Sequence, residues 1–149
     1  MEEISDLLKE KTSADHLLYV SLKYTKTCDV ILNLIARWKS MMEMGFEGLL
    51  EHALKNKKIP YMSKNPKEKI EFMKKYFKKN EKIQESIPLY IFFKRIPELK
   101  IKKEGEFRKN VCLKIIEPTK TIEINMEKLK EYSEILENFI SEVKHILSK

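Results

Sequence analysis

The chain has 149 residues, of which 42% are apolar and 36% are charged, and its formal net charge is +7. This length and apolar content fit one domain around one core, whereas no apolar run approaches the ~20 residues that a membrane-spanning helix needs. The acidic start Met1-Glu2-Glu3 is unlike a signal peptide. We therefore expect a single soluble, cytoplasmic domain over residues 1–149, without a membrane partner.

The positive charge is concentrated in the middle third of the chain. Residues 51–100 carry 14 basic and 6 acidic side chains, which gives +8, whereas residues 1–50 carry 6 and 8, which gives −2. Such asymmetry is a hint about polyanionic partners and says nothing about the fold.

The first half of the chain has helical periodicity. Residues 2–10 predict a short helix, and Ser13 resembles an N-cap that opens a long one. Apolar residues then recur every three or four positions, as one helical face requires. This stripe consists of Leu17, Val20, Tyr24, Cys28, Ile31, Ile35, Trp38 and Met42. Leu18, Leu22, Leu32 and Leu34 widen the apolar face, so we expect a central helix.

Gly45 interrupts this run, and the helical pattern continues beyond it to about Lys57. A straight helix over the whole run would be about 66 Å long, which is too long for a compact domain of this size. Either one helix bends near residues 37–45 or two helices meet there, and we favour two helices.

The second half contains two strong helix starts and one proline. Asn65-Pro66 predicts an N-cap followed by proline at the first helical position, in a helix that runs to about Lys78. Asn80 is expected to cap the next helix, which Pro88 should kink or restart.

A change of period marks the region before the last helix. Val111, Leu113 and Ile115 alternate with polar residues, as do Ile122 and Ile124, and residues 117–120 lie between them as a turn. This pattern predicts a β-hairpin at about 110–125, followed by a helix at about 126–147 that Asn125 caps. The predicted fold is mainly α: a bundle of five or six helices with one β-hairpin before the C-terminal helix.

The helical part resembles the HEPN superfamily of small prokaryotic helical-bundle proteins, and the chain has the character of a conserved archaeal protein. The resemblance covers roughly residues 13–110. It rests on the segments Ser13-Ala14-Asp15-His16-Leu17-Leu18, Gly45-Phe46-Glu47-Gly48-Leu49-Leu50-Glu51-His52-Ala53-Leu54 and Asn65-Pro66-Lys67-Glu68-Lys69.

Active HEPN ribonucleases carry an arginine followed a few residues later by a histidine, and this chain departs from that pattern. Neither Arg37, Arg95 nor Arg108 is followed by a histidine within ten residues. Asn110 lies where an imidazole would be wanted, but an amide cannot exchange protons near neutral pH. The resemblance therefore favours binding over cleavage.

Other catalytic patterns are weak in this sequence. His52 follows Glu51, but no second histidine lies four residues away to complete a zinc motif. Cys28 and Cys112 are interpreted as buried thiols without a disulfide framework. We expect no catalytic residue, no metal and no cofactor, so an enzyme is the less favoured class.

The Lys-rich middle segment, residues 55–82, is the main candidate for a binding site. Lysines neutralise phosphates, and interleaved aromatic rings can stack on unpaired bases. A solvated face of a lysine-rich protein is the alternative. The candidate nucleic-acid-binding residues are Lys64, Lys67, Lys74, Lys75, Tyr76, Lys78, Lys79 and Lys82.

The last helix carries a second candidate, an apolar stripe with the spacing of a helix–helix seam. Its residues are Leu129, Tyr132, Leu136, Phe139 and Val143. The stripe either packs within the monomer or forms an interface between two copies.

Two function classes follow from the sequence. The first is a non-catalytic interaction or regulatory domain that associates with itself or with another protein. The second is a domain that binds the phosphate backbone of RNA or DNA through residues 55–82, as a possible relative of HEPN nucleases.

Overall fold

A computed structural model describes residues 2–149, and it describes side chains from residue 4 onward. The described part is mainly helical, with a small antiparallel sheet. Its helices are α1 (Glu2–His16), α2 (Cys28–Lys55), α3 (Pro66–Tyr76), α4 (Glu81–Arg95) and α5 (Met126–Leu147). Its strands are β1 (Lys100–Glu104), β2 (Cys112–Ile116) and β3 (Thr121–Ile124). None of the described helices is both long enough and apolar enough to cross a membrane.

No described helix begins at Ser13, so the predicted N-cap of the long helix is wrong. Helix α1 runs through Ser13 and continues into a π-helical segment, Leu17–Ser21, and one α-helical turn, Leu22–Tyr24. Because the wider π turn changes the residue spacing, the buried face passes through Leu18 and Leu22, while Tyr24 of the predicted stripe is 78% exposed.

The helical run is interrupted at residues 25–27 and not near residues 37–45. The prediction of two helices that meet near residues 37–45 is therefore also wrong. The Thr27 hydroxyl accepts a hydrogen bond from the Val30 N–H and caps α2. Helix α2 then passes through Gly45 without interruption. It contacts every other labelled helix, which confirms that the long helix is central.

Gly45 is retained inside α2 because a neighbouring ring needs its space. A Cβ atom built on Gly45 would lie 2.6 Å from the Phe139 ring of α5. Phe139 in turn packs edge to face on Phe46, with 5.3 Å between ring centroids. The glycine is therefore a site of close helix packing and not a helix terminus.

The asparagine caps are confirmed, and Pro88 does not break its helix. The side chains of Asn65, Asn80 and Asn125 accept hydrogen bonds from backbone N–H groups of the first helical turns of α3, α4 and α5. Helix α4 continues through Pro88. Because Pro88 is exposed, water can reach the carbonyl that lacks a helical N–H partner there.

The sheet contains the predicted hairpin and one strand that the sequence did not reveal. Strands β2 and β3 pair with Leu113 opposite Ile124 and Ile115 opposite Ile122, and β1 adds to the other edge of β2. Strand β1 has the sequence Lys-Ile-Lys-Lys-Glu and buries no side chain. It lacks an alternating apolar face because it lies at the sheet edge, where lysines are common.

The core is formed by α1, α2, α4, α5 and the inner face of the sheet. Val111, Leu113, Ile115 and Ile124 are fully buried, and the elements β2 and β3 contact α2 and α5. The Glu117 carboxylate at the hairpin turn is buried, and it forms an ion pair with Arg95, with 2.7 Å between Oε1 and Nη1. The sheet therefore covers one side of the helical bundle.

Candidate functional site

A concave surface of about 790 Å³ lies where several helix ends meet. We call this surface the basic groove. Its lining residues are His52, Ala53, Lys58, Lys75, Tyr76, Phe77, Lys78, Lys79, Asn80, Ile146 and Lys149. Five of these side chains are lysines, and none is acidic.

Local backbone geometry brings these residues together. After α2, Lys57 adopts a φ of +57°, and the Lys58 N–H donates to the Ala53 carbonyl at 2.8 Å. A residue in the left-handed backbone conformation commonly terminates a helix, and here Lys57 turns the chain back beside the end of α2. The turn between α3 and α4 supplies Lys78 and Lys79, and the C-terminal end of α5 supplies the remaining wall.

The groove lysines have no acidic partners within the part of the chain whose side chains are described. No carboxylate there lies within 4.0 Å of the ammonium groups of Lys58, Lys75, Lys78, Lys79 and Lys149. All five are exposed to solvent. Water and counterions therefore screen much of their mutual repulsion, and a polyanion would replace those ions.

The helix dipoles balance only part of the positive charge of the five groove lysines. The C-terminal ends of α2, α3 and α5 each contribute about half a negative charge, and the N-terminal end of α4 contributes about half a positive one. These partial charges favour one or two cations near the helix ends. They are too small to balance five lysines, so the groove has an excess of positive charge.

The structure divides the eight predicted binding residues. Lys75, Tyr76, Lys78 and Lys79 line the groove. Lys74 lies 3.7 Å from Glu71, and Lys82 lies 3.8 Å from Glu142. Lys64 and Lys67 lie near the N-terminal end of α3, about 16 Å along the helix axis from its C-terminal end. The predicted segment is therefore not one continuous binding face.

Three basic side chains of the groove were absent from the predicted set, namely His52, Lys58 and Lys149. Lys58 belongs to the Lys-rich segment, but His52 and Lys149 lie in different helical regions of the sequence. Their proximity depends on how the helix ends meet, and the only sequence signal was their position near predicted helix ends.

A row of aromatic rings, which we call the aromatic strip, leads away from the groove along α3. It consists of Tyr61, Phe72 and Tyr76, packed edge to face with centroid distances of 5.6 and 5.9 Å. Tyr61 is 50% exposed. The Lys75 ammonium lies 5.4 Å from the centroid of the Tyr76 ring, so the strip and the groove meet at this pair.

A hydrogen bond fixes the outer ring of the strip. The Tyr61 hydroxyl donates to Glu68 Oε2 at 2.9 Å, and this bond raises the pKa of the tyrosine above its usual value. Hydrogen bonds from Ser63 and Tyr61 lower the pKa of the Glu68 carboxyl. The carboxylate therefore stays ionised and orients the ring at neutral pH.

The second candidate, the α5 stripe, lies inside the monomer. The exposed fractions of its five residues are 0% for Leu129, 8% for Tyr132, 2% for Leu136, 0% for Phe139 and 1% for Val143. Tyr132 packs edge to face on Phe93 of α4. Packing within the monomer is thus the interpretation that the structure supports, and these side chains present no surface to a second copy.

The two cysteines lie close together as free thiols. Cys28 Sγ lies 3.3 Å from the Cys112 carbonyl oxygen and donates a hydrogen bond to it. Burial raises the pKa of the Cys28 thiol to about 11. Burial also raises the pKa of Cys112. Both side chains therefore remain protonated at neutral pH, a state in which thiols are poor nucleophiles and poor metal ligands.

Other reactive side chains do not form a recognised centre. Within residues 4–149, no three His, Cys, Asp or Glu side chains are grouped so that they could hold a metal ion. Arg37 lies 3.4 Å from Glu10, and Arg95 pairs with Glu117. These two arginines are thus engaged in ion pairs.

Comparisons with known proteins do not assign the chain to a family: no family model matches it, and neither do curated proteins or solved structures. The resemblance to the HEPN superfamily stays a prediction, and the function is argued from the groove itself.

Proposed function

We propose that the protein binds the phosphate backbone of nucleic acids in the basic groove. The observation that carries this proposal is the convergence of five lysines without acidic partners among the described side chains on one concave surface. Lysines that line such a surface attract phosphates by releasing the counterions that each partner holds.

The groove supports binding without sequence readout. Arginine supplies most bidentate contacts to guanine, and no arginine lines this surface. An ammonium group is a point charge that contacts a phosphate regardless of the base attached to it. We therefore expect similar affinity for different sequences of the same length.

Binding rather than cleavage is the activity that we propose. His52 is the one histidine of the groove lining, and the Arg…His pattern of HEPN ribonucleases is absent from the sequence. Self-association through the α5 stripe forms no part of the proposal, because that stripe is buried. An interaction role through another surface stays a prediction.

The test is binding of a labelled mixed-sequence RNA, followed by fluorescence anisotropy across a range of salt concentrations. We expect affinity to fall steeply with salt, with a slope of about 0.7 per neutralised phosphate on a single strand. The double variant Lys78→Glu/Lys79→Glu should lose at least about tenfold in affinity at low salt, because two contacts become repulsive.

The matched control is Lys100→Glu/Lys109→Glu, which changes the net charge equally at exposed lysines outside the groove. It should change affinity much less. No binding at low salt would refute the proposed function, and equal losses in both variants would show that net charge, not the groove, attracts the RNA.

A further inference from the structure

The aromatic strip and the basic groove share a boundary, so one nucleic-acid strand can contact both surfaces. Tyr76 lines the groove and is also the inner ring of the strip. A strand whose phosphates lie on Lys75, Lys78 and Lys79 therefore passes beside aromatic rings. Such rings are platforms for nucleobases, because every base has a π face.

The outer ring is available for stacking. Edge-to-face packing places the edge of one ring against the face of its neighbour, and Tyr61, at the end of the row, is half exposed. The hydrogen bond from Tyr61 to Glu68 holds this ring in place before any ligand arrives. A ring that is already oriented loses less conformational entropy when a base stacks on it.

The groove end is the more cationic part of this surface. Its lining carries five lysines and no carboxylate, whereas Glu68 and Glu71 accompany the lysines of α3 beside the strip. Phosphates are therefore attracted most strongly at the groove, which leaves the bases of a strand free to reach the rings.

We propose that the groove and strip together bind single-stranded nucleic acid, with phosphates on the groove lysines and unpaired bases stacked on Tyr61 and Tyr76. In a duplex the base faces are covered by neighbouring base pairs, so a duplex can contact the lysines but not the strip. This inference rests on the proposed function and adds selectivity for unpaired strands.

The experiment compares three probes of equal length: a mixed-sequence RNA strand, its duplex, and an abasic ribose-phosphate strand with the same backbone charge. The wild-type protein should bind the strand with bases at least about tenfold more tightly than the abasic strand, since each stacked base adds a contact with an aromatic ring that the abasic strand lacks. The affinity for the duplex should resemble the affinity for the abasic strand. Salt slopes measured for both probes correct for the higher charge density of the duplex.

Two substitutions of Tyr61 separate stacking from structure, and both are at an exposed side chain whose replacement leaves the core intact. Tyr61→Leu removes one of the two stacking rings and should lower the affinity for the strand with bases much more than the affinity for the abasic strand. Tyr61→Phe keeps the ring and removes only the bond to Glu68, so it should retain most of the preference.

The outcomes distinguish the two proposals. Equal, salt-dependent affinity for all three probes would overturn the stacking inference and leave phosphate binding in the groove intact. Equal losses on abasic and base-containing strands in Tyr61→Leu would also overturn it, because the residue would then act on the backbone site. Absence of binding to every probe would overturn both proposals.

Discussion

The contact between α2 and α5 and the basic groove near the C-terminal ends of both helices are opposite in character. At Gly45 and Phe139 the helices approach so closely that a single Cβ atom has no room. Where the C-terminal ends of these two helices meet α3 and the turn that follows it, five lysines line a wide, open concavity.

The two regions differ in whether their side chains have partners within the same chain. Every residue of the α5 stripe is buried against neighbours from the same chain, so the stripe explains stability. The groove lysines have no acidic partners among the described side chains, so folding alone does not explain them. A surface whose side chains make no stabilising contacts within the folded chain is the better candidate for binding.

The largest expected effect tests the tight contact. Gly45→Ala should lower the free energy of unfolding by about 1–3 kcal/mol, as overpacking does, although alanine is the better helix former by about 1 kcal/mol. Phe139 is fully buried and packed on Phe46, so its ring cannot simply retreat. Urea denaturation of the purified protein measures the change.

A second substitution provides the control for this prediction. In a Phe139→Leu background the ring is gone, so Gly45→Ala should become neutral or stabilising. If Gly45→Ala instead stabilises the wild-type chain, the contact between α2 and α5 is looser than the structure indicates.

A smaller effect concerns a buried phenol of the α5 stripe. Burial raises the pKa of Tyr132 from 10.0 to about 12. Below pH 10 the phenol is protonated in both the folded and the unfolded chain. Between pH 10 and 12 the unfolded chain releases the proton first, so the free energy of unfolding falls, by roughly 2 kcal/mol or less.

Tyr132→Phe should therefore flatten the loss of stability above pH 10, as followed by chemical denaturation at a series of pH values. A groove variant such as Lys78→Glu is a suitable comparison, since it keeps the buried phenol and should retain the wild-type slope in this interval. An unchanged slope in Tyr132→Phe would contradict the assignment.

The smallest expected effect is on the stability of the groove variants. Lys78→Glu/Lys79→Glu should change the free energy of unfolding by no more than about 0.5 kcal/mol, because exposed surface substitutions rarely do more. Thermal unfolding checks this value. A large destabilisation would mean that the groove lysines stabilise the fold, as the contact between α2 and α5 does.

Much of the helical architecture was predictable from local patterns. The asparagine caps at residues 65, 80 and 125 rest on interactions within a few residues, and all three are confirmed. The hairpin at 112–124 was predictable for the same reason, since its alternating residues and its turn are adjacent in sequence.

The errors arose where distant residues decide local structure. Gly45 resembles a helix break until Phe139, 94 residues later in the chain, is placed against it. Strand β1 has no apolar alternation, because its order comes from backbone pairing with β2 and from bridges such as Lys114–Glu104 at 3.1 Å. Neither effect leaves a periodic signal in the segment concerned.

The sequence by itself determined that the chain folds as a mainly helical domain, where most helices begin, and that its positive charge lies in the middle third, because capping, periodicity and composition are local properties. Only the tertiary structure decided which lysines share a surface. It joined Lys149 and His52 to Lys78 and Lys79, and it separated Lys64 and Lys67 from them. The physical reason is that electrostatic potential depends on distance in space, which the packing of helix ends sets and spacing along the chain does not.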